Sequence, residues 1–203
     1  MIRAVLFDFD GTLTLPGSLD FAAIRAAVGC PPGTPVLEYI EGLAEAGARS
    51  RAAAALEAFE QEAARASAPN RGAEELLAAL RARGVPFGIL TRNSRASVRT
   101  ALESFSSVRE GDFRIIICRE DGCRPKPHPD GVLLAASRFG CAAAECLVVG
   151  DYRFDVEAGA AAGAVTALLV NTTPVAEPSC PVDFRIKSLT EVLRVIDEVN
   201  AAG

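Results

Sequence analysis

The chain of 203 residues has a single histidine, no tryptophan and one methionine. With only His128 to offer an imidazole, a zinc site would depend on thiolates at an unusual spacing. Cys30, Cys118, Cys123, Cys141, Cys146 and Cys180 include two pairs five positions apart and no C-x-x-C clip. They read as buried, reduced thiols acting as small apolar residues, not as a disulfide frame. A cationic excess is also missing: Lys and Arg total 21 against 26 Asp and Glu, a net charge of −5. Affinity for a phosphate backbone rests on such an excess, so no nucleic-acid partner is expected. No stretch approaches the roughly 18 apolar residues of a membrane span, which excludes a membrane partner of that kind. The apolar run Met1 to Leu6 is short and soon meets Asp8 and Asp10, unlike a secretory leader. A cytoplasmic chain is expected, as a monomer or a homodimer.

What is present is ordinary for a folded domain: half of the residues are hydrophobic and 23% are charged. The length suits one domain, or one domain with a small insertion. Short β-rich runs lie at Ile2 to Phe7, Val85 to Leu90, Arg114 to Cys118, Cys146 to Val149 and Val165 to Val170. A weaker sixth spans Asp183 to Ile186. They are apolar without strict alternation, as strands buried on both faces of a parallel sheet are. Helical pattern separates them at Arg71 to Arg83 (Asn70 as cap, Gly84 as stop), Ser94 to Phe105, Asp130 to Phe139, Phe154 to Ala162 and Leu189 to Val199. Alternation of this kind predicts an α/β fold, a Rossmann-like open parallel sheet of order near 3-2-1-4-5.

One stretch breaks the rhythm. Thr12 to Pro69 holds no convincing strand, only Ala-rich helical sequence at Ser18 to Val28, Pro35 to Ala46 (Thr34 as cap) and Arg49 to Ala66. The expected domains are therefore a Rossmann-like core, 1–14 plus 70–203, and a small all-helical cap, 15–69, inserted after the first strand.

In an open parallel sheet, ligands bind beyond the carboxyl ends of the strands, near the point where strand order reverses. Asp8-Phe9-Asp10-Gly11-Thr12 follow the first strand and Thr91-Arg92-Asn93 the second. Arg124-Pro125-Lys126-Pro127 follow the third, and Gly150-Asp151 the fourth, with Asp155 four residues on. The first and fourth strands are neighbours in this order, so Asp8, Asp10 and Asp151 should share one crevice. Clustered carboxylates raise one another's pKa unless compensated, and a divalent cation, Mg²⁺ above all, would compensate them. Lys126 and the Thr91 hydroxyl supply a charge and a donor for phosphate oxygens. Together these groups describe phosphoryl transfer.

The ordered set resembles the haloacid dehalogenase-like (HAD) superfamily along nearly the whole chain. Asp8-Phe9-Asp10-Gly11-Thr12-Leu13 is similar to its first motif, Thr91 to the second, Lys126 to the third, and Gly150-Asp151 with Asp155 to the fourth. The insertion resembles, in short form, the helical cap of the phosphoglycolate-phosphatase-like branch. The resemblance implies an Mg²⁺-dependent phosphatase acting on a small phosphorylated metabolite, phosphoglycolate being the specific guess. Asp8 would be the nucleophile, and Asp10 the acid and base. Asp8, the Asp10 backbone carbonyl and Asp151 would hold the metal. Lys126 would fix Asp8 and neutralise charge. Thr91 and the backbone amides near Gly11 and Asn93 would hold phosphoryl oxygens, with Arg92 also a candidate contact. Asp155 is read two ways, as a helix-capping aspartate or as the group that orders metal-bound water or Lys126.

Asp20 and Asp121 read as capping or turn residues and His128 as a solvent-facing loop residue. Asp20, Arg25, Glu38, Tyr39 and Arg49 are the insertion's candidate substrate contacts. A phosphomutase of the β-phosphoglucomutase kind is the nearest rival. A haloalkanoate dehalogenase fits less well, because it needs neither Asp10 nor a metal. A non-catalytic binding protein on the same fold is the alternative from another class.

Overall fold

The computed structural model describes residues 1–171 and 177–202. Six apolar runs become strands β1 (Ala4–Phe7), β2 (Phe87–Leu90), β3 (Ile115–Ile117), β4 (Cys146–Gly150), β5 (Val165–Leu169) and β6 (Phe184–Ile186). All pairings are parallel and the order is 3-2-1-4-5-6, so the expected sheet is present with the weak sixth run as its edge. β1 lies between β2 and β4, with Val5 opposite Phe87 on one side and Leu147 on the other.

Helices cover both faces, which is why the strands carry apolar residues at successive positions. The insertion contributes α1 (Phe21–Val28), α2 (Val36–Glu41) and α3 (Ala46–Ala66). The remainder are α4 (Ala73–Ala82), α5 (Arg95–Leu102), α6 (Asp130–Phe139), α7 (Arg153–Ala162) and α8 (Glu191–Ala202). Val5 and Phe7 face a cluster built with Leu76, Leu77 and Leu80 of α4, Val98 of α5 and Val192 of α8. Ala4 and Leu6 face the other way, toward Val132 and Ala136 of α6 and Ala158 of α7. Among the described residues no helix is long and apolar enough to cross a membrane.

The insertion has its own apolar cluster of Ile24, Cys30, Val36, Ile40, Ala52 and Leu56. Asp20 caps α1 by accepting from the amides of Ala22 and Ala23 at 3.0 and 2.9 Å. Glu45 does the same for α3 through Gly47 and Ala48, both at 2.8 Å. Between them α2 is shorter than the sequence pattern suggests. It starts after Pro35 instead of Thr34 and ends at Gly42, a poor helix former, since the next residues are given over to starting α3.

Where the insertion returns to the sheet, Thr14 pairs with Pro69, and the Leu15 and Asn70 amides donate to Ala68 and Leu13 carbonyls at 2.9 and 2.8 Å. Asn70 does not cap α4 as expected. Gly72 holds that position in the left-handed region (φ +78°), and the Asn70 side-chain amide donates instead to the Thr12 carbonyl at 2.9 Å. The cysteines are free thiols as expected, yet only Cys30, Cys118 and Cys146 are buried; Cys123, Cys141 and Cys180 are half-buried.

α3 is bolted to the sheet domain. Glu60, with 6% of its side chain exposed, forms two bonds to the Arg119 guanidinium, at 2.7 and 3.0 Å. Gln61 donates to the Ser97 hydroxyl of α5 at 3.1 Å. Burial pushes the Glu60 carboxyl up, and Arg119 holds it down against that. Glu60→Gln should lower stability by on the order of 2 kcal/mol, less than the roughly 3–5 kcal/mol for one partner of a fully enclosed pair. The discount reflects an Arg119 side chain that stays 25% exposed. Urea unfolding measures it, and an unchanged midpoint would contradict the role given to this pair.

Candidate active site

Asp8 leaves β1 still in register, its amide donating to the Val149 carbonyl of β4 at 2.8 Å. The chain then turns tightly over Phe9–Leu13. Gly11 in that turn has φ +85°, and a Cβ there would lie 2.4 Å from Oδ2 of Asp151. Glycine is required on both counts, conformation and space. The exit of β4 is as crowded, because a Cβ on Gly150 would lie 2.2 Å from the Asp155 carboxyl carbon. The chain thus folds so that Asp151 rests on the Gly11 backbone and Asp155 on that of Gly150.

Lys126 joins these exits. Its ammonium, 4% exposed, donates to Asp8 Oδ1 at 2.6 Å, to Asp155 Oδ1 at 2.6 Å and to the Leu90 carbonyl at 2.7 Å. An ammonium has three hydrogens, and all are used. Burial alone would lower its pKa, but Asp155 and Asp8 hold it above the ordinary lysine value. Asp155 also accepts from the Tyr152 amide at 3.0 Å through its other oxygen, at the start of α7. Both readings of this residue, capping aspartate and Lys126 partner, describe its contacts.

Asp8, Asp151 and Asp155 each offer an oxygen within 4.8 Å of the others. The Asp10 carboxylate points elsewhere, accepting from Asn93 Nδ2 at 3.1 and 3.3 Å and from the Thr91 hydroxyl at 3.5 Å. Asn93 is itself fixed by its amide bond to Thr91 Oγ1 at 3.0 Å. Arg92 reaches the Lys126 carbonyl and pairs with Glu38 of α2 at 2.6 Å. Its guanidinium lies 5.0 Å from the centre of the Phe154 ring. A cavity of about 50 Å³ separates Leu37 and Glu41 of the insertion from Thr91, Arg92, Arg119 and Lys126. A wider groove on the insertion, at Ala22, Arg25, Cys30 and Gly33, shares no residue with this crevice.

Electrostatically the crevice is short of positive charge. Burial, and then the Asp8 charge, push Asp10 up to about 7, against the hydrogen bond from Asn93. Burial and the charges of Asp8 and Asp155 push Asp151 up to about 8. Burial pushes Asp155 up to about 6, with Lys126 opposing. One lysine does not balance four carboxylates. The donor set is all hard oxygen, which fits Mg²⁺, and Asp8 and Asp151 with Asp155 beside them are the residues that could hold it.

Of the insertion residues singled out from sequence, only Glu38 has a bond to this crevice among those described. Asp20 caps α1, Arg25 donates to the Thr34 carbonyl at 3.1 Å, and Arg49 donates to the Leu43 and Ala44 carbonyls. Tyr39 packs in the insertion's own cluster. His128 Nδ1 accepts from the Asp130 backbone amide at 3.3 Å, and the side chain stays one-third exposed. Asp121 accepts from the Cys118 amide at 2.7 Å, a turn residue as read.

Sequence reading missed Asn171. Its amide nitrogen donates to Asp151 Oδ2 at 2.8 Å and to the Gly11 carbonyl at 3.0 Å. The signal was available, since Asn171 leaves β5 as Asp151 leaves β4, but an uncharged amide one strand further out does not announce a role.

A Rossmann-like sheet that gathers carboxylates from adjacent strand exits around a buried lysine has the α/β layout in which ligands bind at the topological switch point. The family model for haloacid dehalogenase-like hydrolases matches residues 2–163. An uncharacterized hydrolase of Saccharomyces cerevisiae is 33% identical over 98% of this chain and 93% of its own length. The N-acetylmuramic acid 6-phosphate phosphatase of Pseudomonas aeruginosa is 31% identical over 82% of this chain and 80% of its own. A solved hydrolase structure from Pseudomonas syringae superposes with a TM-score of 0.79 at 20% identity, over 97% of this chain and 99% of that one, a likeness of fold. The chain belongs to the haloacid dehalogenase-like hydrolases.

The space at Gly150 gives a test of the packing. Gly150→Ala should displace Asp155 and cost about 1–3 kcal/mol by overpacking. Thermal unfolding of the variant in EDTA measures it, and wild-type stability would show that Asp155 does not need this contact.

Proposed function

We propose that this hydrolase is an Mg²⁺-dependent phosphatase that releases phosphate from a small phosphorylated metabolite through an aspartyl-phosphate on Asp8. The observation that carries the reading is the Lys126 ammonium bonded to Asp8 and Asp155 at 2.6 Å, beside Asp151. Lys126 occupies Oδ1 of Asp8, which leaves Oδ2 for the phosphorus. Attack by Oδ2 forms the Asp8–phosphorus bond as the ester bond breaks, and Asp10 gives its proton to the departing oxygen. A water then attacks the phosphorus, Asp10 takes that water's proton, and the Asp8–phosphorus bond breaks to release phosphate. Thr91 and the backbone amides near Gly11 and Asn93 would hold the phosphoryl oxygens, while Lys126, its hydrogens already committed, fixes Asp8 and offsets their charge, with Arg92 at the wall. Asp8, the Asp10 carbonyl and Asp151 would hold Mg²⁺, and Asp155 would keep Lys126 in place. When bound, the ion offsets the repulsion between a carboxylate nucleophile and an anionic phosphate.

In this reading 1–14 plus 70–203 form the catalytic core and 15–69 a cap, with Glu38 opposite Arg92 at the mouth. Support for a small phosphorylated substrate comes from the phosphatase relative, which makes sugar phosphates members of the test panel alongside phosphoglycolate.

Two measurements test the function. Wild-type protein should release phosphate from p-nitrophenyl phosphate and from some of the panel with Mg²⁺, and EDTA should abolish the release reversibly. Interconversion of sugar phosphates with no free phosphate would replace this reading with the mutase, and activity that survives EDTA would remove the metal. Asp8→Asn, nearly isosteric, should lower kcat by several orders of magnitude with an unchanged circular dichroism spectrum. Near-wild-type turnover would refute the nucleophile.

A further inference from the structure

Asn171 stands outside the four motif-like segments, yet its one amide nitrogen ties two of them together. The two hydrogens of Nδ2 go to Asp151 Oδ2 (2.8 Å) and to the Gly11 carbonyl (3.0 Å), so the group has no donor left for water. Oδ2 of Asp151 is thereby occupied. Among the described residues, Oδ1 has only a long contact, 3.5 Å, with the Thr12 hydroxyl. The carboxylate is presented with one oxygen fixed and one available.

The other anchor matters as much. Asn70 Nδ2, on the first residue after the insertion, donates to the Thr12 carbonyl at 2.9 Å and lies 3.4 Å from that of Gly11. The Phe9–Leu13 turn is therefore held by one asparagine where the insertion rejoins the core and one just beyond β5. Asp151 is confined between the Gly11 backbone, where no Cβ would fit, and the Asn171 amide.

The residue type follows from the two acceptors. A carboxylate at 171 would meet Asp151 and a carbonyl oxygen with no hydrogen to offer. A hydroxyl has one hydrogen and would satisfy one acceptor at a time. A neutral group with two hydrogens on one atom satisfies both without adding charge to a crevice already rich in anions.

We propose that Asn171 is a positioning residue for the cation site, locking Asp151 to the Phe9–Leu13 turn so that ion binding and the junction with the insertion share one hydrogen-bonded unit. The proposal rests on the reading of Asp8 and Asp151 as Mg²⁺ ligands. Partners that orient a ligand contribute roughly 10–100-fold to metal affinity.

The experiment titrates MgCl₂ by calorimetry into the full chain as wild type, Asn171→Ala and Asn171→Ser, with thermal unfolding of each in EDTA. Binding to Asn171→Ala should be about 10–100-fold weaker, and Asn171→Ser should fall between. Equal Mg²⁺ affinity in all three chains, with a lower unfolding temperature in EDTA, would reduce Asn171 to a loop tether and overturn the proposal. Absence of Mg²⁺ binding by wild type would overturn the cation reading beneath it. Hydrogen exchange on the wild-type chain keeps the test alive should the variants misfold. On addition of MgCl₂, the peptides holding Gly11 and Asn70 should gain protection together with that holding Asp151. Protection confined to the Asp151 peptide would refute the coupling.

Discussion

The arrangement of the crevice depends on an ammonium group with no hydrogen to spare. Lys126 is one of two lysines in a chain whose other cations are arginines. It fastens the end of β1 through Asp8, the end of β2 through the Leu90 carbonyl and the start of α7 through Asp155. Enclosing a charge is costly unless its partners are close and its hydrogens are matched, and here both conditions hold. The three bonds also fix where the remaining negative charge lies. Asp151 and Asp10 flank the lysine without bonding to it among the described contacts, and burial drives both to raised pKa values.

Much of this was legible in the sequence because a parallel sheet writes itself plainly. Strict alternation of apolar and polar residues is unnecessary when both faces are covered. Leu147, Val148 and Val149 therefore follow one another, and the same holds for Ile115 to Ile117. The four acidic and basic segments were found by asking what leaves each strand, a question that topology answers. Less visible were features set by side-chain direction. Nothing in the local sequence says that Asn70 turns back to Thr12 while Gly72 starts α4, or that the Asp10 carboxylate joins Asn93 instead of the other acids. The Glu60–Arg119 pair, 59 positions apart, depends on how α3 docks, which no window along the chain records.

Glycine supplies the complement to these bonds. At Gly11 and Gly150 the missing side chain is what lets a carboxylate lie against the backbone. The acids are thus brought close by the absence of atoms as well as by attraction to Lys126. Asn171 extends the same economy, since one small amide reaches two segments that meet only because the turn after β1 is so tight.

Among the described residues, two ion pairs of different character join the insertion to the sheet domain. Glu60–Arg119 is enclosed on the carboxylate side, whereas Glu38 in the pair with Arg92 is 39% exposed. Dissolved ions weaken attraction between exposed charges and reach enclosed ones far less. Rising ionic strength should therefore weaken the hold of α2 on the crevice wall more than the seat of α3, so the two helices answer differently to salt.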